Sequence, residues 1–173
     1  DNILLIDRLR RQPVIDKQTG LYNRAYLDPV LAREFDLARR RGKSLSCVKL
    51  HVDTLDKLLD TYGETAGETV LSRIGTMLTA NCRSCDILVR TDIGEFVALL
   101  PEIDAPGAEH VARRIRGALE TLRFPEFQGL ETPAFSIGVA TDPGDGIETH
   151  RDLLLAAGRN LNHDRRLTTR RAV

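Results

Sequence analysis

The chain has 173 residues, 42% of them hydrophobic and 29% charged, a balance that fits one soluble globular domain and excludes a disordered one. Its 25 Lys and Arg offset 25 Asp and Glu, so net charge directs it to neither nucleic acid nor an acidic membrane surface. No run approaches the ~20 apolar residues of a membrane span and nothing resembles a signal peptide, so neither nucleic acid nor membrane is an expected partner.

Ile3 to Arg11 carries apolar residues at helical spacing and meets Pro13. It reads as the end of a signalling helix from an upstream domain, with a boundary after residue 15 and the main domain over 16–173. The start at Asp1, without a Met, fits a piece of a longer polypeptide. Asp16 to Asn23 is turn-rich. Arg24 to Arg41 is an amphipathic helix with Tyr26, Leu27, Val30, Leu31 and Phe35 on one side, stopped by Gly42. Ser46 to Val52 alternates as a strand, and Thr54 to Tyr62 and Glu68 to Ala80 read as helices joined across Gly63 and Gly67.

Ile87 to Arg90 and Glu95 to Leu100 are short apolar runs around Thr91-Asp-Ile-Gly94, the spacing of a hairpin. Ala105 to Leu122 is a further helix, Ala134 to Ala140 a strand, and Arg151 to Arg165 a last helix. Interleaved strands and helices predict an α/β class, a mixed central β-sheet flanked by helices.

Several stretches resemble the GGDEF (diguanylate cyclase) family in order and spacing. Asp16-Lys-Gln-Thr-Gly-Leu-Tyr-Asn-Arg24 is similar to D-x-L-T-G-L-x-N-R. Val52-Asp53, then Asp60-Thr-Tyr-Gly63 and Gly67, resemble D-x-D-x-F-K-x-x-N-D-x-x-G-x-x-x-G-D. Arg90 to Phe96 aligns with R-Y-G-G-D-E-F, and Phe135 to Ala140 with the late S-I-G-V-A strand. The resemblance implies the nucleotidyl-cyclase-like GGDEF fold. It also implies a family reaction that joins two GTP into cyclic di-GMP across a dimer, using divalent cations on hard carboxylates.

Against that pattern the catalytic positions have degenerated. His51 replaces the first Asp of D-x-D, and Gly94 replaces the acidic third residue of the signature, leaving Glu95 and Asp53 as carboxylates. Asp92 and Ile93 replace the two turn glycines, which would permit φ > 0 and close approach of nucleotide. Leu59 stands where an Asn would read guanine, Glu68 where its acidic partner would be, and Arg165 keeps the phosphate-side basic position. No intact catalytic set is expected. Asp53 and Glu95 are only weak metal candidates, and Mg²⁺ is implied only if GTP is still bound.

Arg83-Ser-Cys-Asp86 is similar to the family's R-x-x-D inhibitory site for cyclic di-GMP, and Arg114 falls where a further Arg joins it. Arg presents a fork suited to phosphate or the O6/N7 edge of guanine, and Asp accepts from guanine N1 and N2. The resulting expectation is a cyclic di-GMP-binding domain that regulates a neighbour in the same chain, EAL-type by family analogy. The alternatives are a GTP-binding module built on Asp53, Leu59, Glu68 and Arg165, a structural homodimerisation domain, or a weak residual cyclase. Three cysteines, an odd number, fit the cytoplasm better than a disulfide framework. Cys82 and Cys85 form a C-x-x-C without completing ligands, and the basic residues Arg165, Arg166, Arg170 and Arg171 read as a solvated chain end.

Overall fold

A computed structural model describes residues 14–171. The predicted upstream helix over Ile3 to Arg11 lies outside those residues. Five strands, β1 (Tyr22–Asn23), β2 (Leu45–Val52), β3 (Ile87–Asp92), β4 (Glu95–Pro101) and β5 (Phe135–Asp142), form one sheet in the order β1-β3-β4-β2-β5. β1 pairs parallel with β3 and every other pairing is antiparallel, so the sheet is mixed as expected.

Helices cover both faces: α1 (Arg24–Arg41) and α5 (His150–Arg171) one side, α2 (Leu55–Tyr62), α3 (Glu64–Asn81) and α4 (Ala105–Thr121) the other. Strand alternation sorts the core between them. On β2, Val48, Leu50 and Val52 pack with α2, α3 and α4, whereas Leu45 and Cys47 pack with α1 and α5. Lys49 and His51 continue that second face toward the end of the strand, with Lys49 Nζ close to Gly158 of α5. Close approach of α5 explains Gly138 on β5, where a Cβ would overlap the Ala157 carbonyl and the Leu161 amide.

Four boundaries differ from the sequence reading. Val14 and Ile15 already belong with the domain: Asn23 N donates to Val14 O at 2.7 Å, and Ile15 bridges Tyr22. α3 begins at Glu64, since Gly63 alone, at φ +83°, breaks the helical path. Gly67 instead lies inside α3, where a Cβ would collide with Leu59 Cδ2. The hairpin turn is two residues, Ile93 and Gly94, with Asp92 opposite Glu95 and a bulge between Arg90 and Asp92. α5 runs on to Arg171, so the basic run from Arg165 is helical, with Arg166, Arg170 and Arg171 exposed.

Candidate functional site

Pairing of β4 and β5 with β2 sets Glu95 and Ser136 on either side of His51. Side chains on paired positions share a face, which assembles a charged cluster at the strand end. Asp53 is its centre: His51 Nδ1 lies 2.9 Å from Oδ1, Arg165 Nε donates to Oδ1 at 3.0 Å, and the Ser136 hydroxyl donates to Oδ2 at 2.5 Å. Beside it Glu95 Oε1 faces Lys49 Nζ at 3.3 Å and accepts from the Thr91 hydroxyl at 3.0 Å. Sequence reasoning placed His51, Asp53, Glu95 and Arg165 here but missed Lys49, Thr91 and Ser136. The usable signal for Lys49 is its i, i+2 relation to His51 on the same strand face.

Each carboxylate therefore already carries a cation of the chain. A resident Mg²⁺ needs several free hard oxygens in near-octahedral array, and this donor set, with His51 in place of a carboxylate and both Asp53 oxygens engaged, does not fit it. Among the described residues, no group of three or more His, Cys, Asp or Glu is arranged to hold a metal. Cys82 and Cys85 are free, as is Cys47. Burial pushes the Cys47 thiol up to about 12 and is the largest cause of a rise to about 11 at Cys82.

The hairpin tip corrects one expectation. Neither Ile93 nor Gly94 has positive φ, so the turn does not need glycine's freedom and Ile93 sits in it unstrained, 60% exposed. Asp92 does not reach toward a phosphate: its carboxylate accepts from Ile93 N at 2.8 Å. Gly94 is constrained by space, because a Cβ there would meet Leu55 Cδ2 at 2.8 Å. Arg90 fixes the hairpin to the opening loop, donating to Asp16 Oδ2 at 3.1 Å, Gln18 Oε1 at 2.5 Å and Ile93 O at 2.9 Å. At the guanine-reading positions, Leu59 packs on Gly67 between α2 and α3, and Glu68 is exposed.

At the other end of β3 lies a second constellation. Arg83 Nη2 donates to Asp86 Oδ1 at 2.7 Å and to Pro101 O at 2.8 Å, while the Arg83 amide donates to Asp86 Oδ2 at 2.7 Å. The Asp86 side chain is only 2% exposed and the Arg83 side chain 45%. Asp86 thus holds Arg83 in place while the guanidinium remains open to solvent. Arg114, exposed on α4, donates to Asn81 O at the end of α3. Arg114 and Arg83 both act electrostatically on Cys82, so the two arginines flank one short segment.

The family model for the GGDEF domain, diguanylate cyclase, matches residues 14–171. The chain belongs to the GGDEF family. It is 31% identical over 143 residues to the response regulator PleD of Caulobacter vibrioides, covering 82% of this chain and 32% of that protein. It is 30% identical over 138 residues to the diguanylate cyclase DosC of Escherichia coli, covering 79% and 30%. It therefore spans about a third of these relatives. Among solved structures, the diguanylate cyclase SiaD of Pseudomonas aeruginosa, in complex with its activator SiaC, superposes with TM-score 0.79 at 30% identity, over 95% of this chain and 62% of that one. The GGDEF domain of DgcB from Caulobacter crescentus, in complex with c-di-GMP, gives TM-score 0.83 at 22% identity, over 91% and 90%. That last likeness is one of fold.

Proposed function

We propose that this GGDEF domain binds cyclic di-GMP at Arg83, with Asp86 and Arg114 completing the site, and regulates a neighbouring domain without synthesising the messenger. The observation that carries this reading is the pre-set Arg83: a half-exposed guanidinium held by a buried carboxylate and a backbone carbonyl. Preorganisation of that kind lowers the cost of ordering a phosphate-binding fork. The c-di-GMP complex of a GGDEF domain with this fold supports it further.

Loss of synthesis rests on the strand-end cluster. Asp53 and Glu95 bind Arg165, His51 and Lys49 in place of cations brought by a substrate. The GTP-module alternative has less support, because Arg165 is turned to Asp53 and Leu59 fills the space beside Gly67.

Calorimetric titration of the purified protein with cyclic di-GMP tests the proposal. Micromolar or tighter binding is expected, weakened roughly ten- to hundredfold in Arg83→Ala, the worth of one charge-assisted hydrogen-bonding group. Arg83→Lys keeps the charge and loses the fork, and is expected to rescue only part. Absence of heat with the folded wild-type protein overturns the reading, as does cyclic di-GMP formed from GTP and Mg²⁺ or Mn²⁺.

A further inference from the structure

β5 ends the sheet, with β2 on one side and no strand on the other among the described residues. Along an antiparallel strand, successive residues turn their backbone N–H and C=O alternately toward one neighbour and the other. Ile137 and Val139 turn theirs away from β2: the Ile137 amide donates to Asp164 Oδ2 at 2.9 Å, and the Val139 carbonyl accepts from Asn160 Nδ2 at 2.6 Å. Both side chains come from α5, so a helix supplies the partners that a further strand would.

That cover is incomplete. Between the two bonds, the Ile137 carbonyl and the Val139 amide point the same way, one on each side of Gly138, and neither has a partner among the described residues. Open backbone groups on a sheet edge are a template for an incoming chain. These two lie in a cleft of about 270 Å³ between α4 and α5, with Ile137, Gly138 and Val139 at its base and Arg113, Asn160 and His163 exposed around it. The volume is below the ~300–1,000 Å³ common for small-molecule sites and suits one residue of a peptide.

Charge decides which peptide. Arg116 is committed: it pairs with Asp164 at 2.7 Å, tying α4 to α5 across the cleft, and lies over the Phe135 ring. Arg113 and Glu109, one turn apart on α4, are exposed and unpaired among the described residues. On α5, helical spacing places Asn160, Asp164, Leu167 and Arg171 on one face. Leu167 is 44% exposed, and Arg171 is exposed without a partner among the described residues. The uncommitted charges around the cleft and along this face are therefore mainly positive, beside one open apolar side chain.

We propose that the β5 edge receives an extended acidic segment of a partner protein, which forms a short β-bridge opposite Gly138. A backbone N–H of the segment donates to the Ile137 carbonyl and a backbone C=O accepts from the Val139 amide. Its carboxylates meet Arg113 and Arg171, and an apolar side chain covers Leu167. Main-chain bonds supply affinity in such pairing and the flanking side chains supply selection. Asp164 and Asn160 keep their own bonds and confine the pairing to one bridge, which makes the edge a docking notch and not an open template for aggregation. The cleft shares no residue with the Arg83 site, so the proposal stands independently of cyclic di-GMP binding.

Panning a phage library of random short peptides on the folded protein, with Arg113→Glu panned in parallel, tests this, and the most enriched peptide is then synthesised. Enriched sequences are expected to carry Asp or Glu near an apolar residue and to bind Arg113→Glu about tenfold or more weakly. Arg40→Glu makes the same charge change at an exposed position on α1 and is expected to bind as wild type does. On addition of the peptide, the Val139 amide proton should move downfield in the nuclear magnetic resonance spectrum and exchange more slowly with solvent. Absence of enrichment, equal weakening in Arg113→Glu and Arg40→Glu, or a bound peptide that leaves the Val139 amide unmoved overturns the assignment.

Discussion

The two ends of the central strands treat charge in opposite ways. At the His51 end every principal charge is met from within: Asp53 by Arg165 and His51, Glu95 by Lys49, and Arg90 by Asp16. At the Arg83 end one arginine is held but left half open, and Arg41 and Lys43 face a cleft without partners among the described residues. The carboxylates at the first end are paired with cations of the chain itself. The contrast teaches that motif residues found in sequence do not by themselves reveal which of them are free to meet a ligand. Asp53, Glu95 and Arg165 all stand at motif positions, yet Asp53 and Arg165 pair with each other and Glu95 pairs with Lys49.

Arg39 and Arg41, two residues apart, give the sharpest form of this comparison. Arg39→Ala strands the Asp142 carboxylate, whose side chain is 2% exposed although that of Arg39 is 46% exposed, and is expected to lower the denaturant midpoint clearly. Arg41→Ala is expected to change stability by no more than about 0.5 kcal/mol. Equal costs would erase the distinction between committed and open cations. Next in size, Arg165→Ala is expected to lower stability by roughly 1 kcal/mol, because the pair is partly exposed, with no change in cyclic di-GMP affinity. A loss of affinity there would return the ligand to the strand end.

A smaller effect concerns acid. Burial disfavours the Asp16 carboxylate, but hydrogen bonds from Thr19 and Arg90 and the Arg90 charge outweigh it and hold its pKa below the ordinary 3.8. A carboxylate depressed in the folded state contributes stability above its unfolded pKa and loses it as pH falls through the folded value. Stability should therefore drop below about pH 4, less steeply in Asp16→Asn, as read by unfolding midpoints across pH 2–6. Ile93→Gly is the smallest case. With the side chain exposed and no positive φ to relieve, it should destabilise by no more than about 1 kcal/mol through added backbone freedom, and it should not create cyclase activity.

Much of the fold was legible because hydrophobic periodicity reports it directly. The alternation of Ser46 to Val52 and the 3.6-residue spacing of Arg24 to Arg41 were read almost to the residue. α3 was misplaced because Gly67 resembles a helix break by composition, while its actual role is to admit Leu59 against the helix surface. The last helix was cut short at Arg165 because a polar, arginine-rich run carries little apolar signal, although Arg165, one turn past Leu161, is still anchored through Asp53. At the site, motif spacing located the residues but not their partners. Lys49 was signalled only by its i, i+2 relation to His51, while Ser136 comes from a strand that meets β2 only in the folded sheet and no local pattern announces it. The R-x-x-D spacing allowed either an Arg83–Asp86 ion pair or two ligand-facing groups, and identity alone cannot tell a ligand-facing carboxylate from a buried positioning one.

A backbone amide titration by nuclear magnetic resonance tests the whole contrast most directly: the isotopically labelled protein is followed as cyclic di-GMP is added. Shifts are expected to concentrate at residues 81–86, around Arg114, along Arg41 to Leu45 and at Glu102. His51, Asp53, Glu95 and Ser136 should stay unmoved. Shifts centred on the strand-end cluster, or none at saturating ligand, would contradict the account.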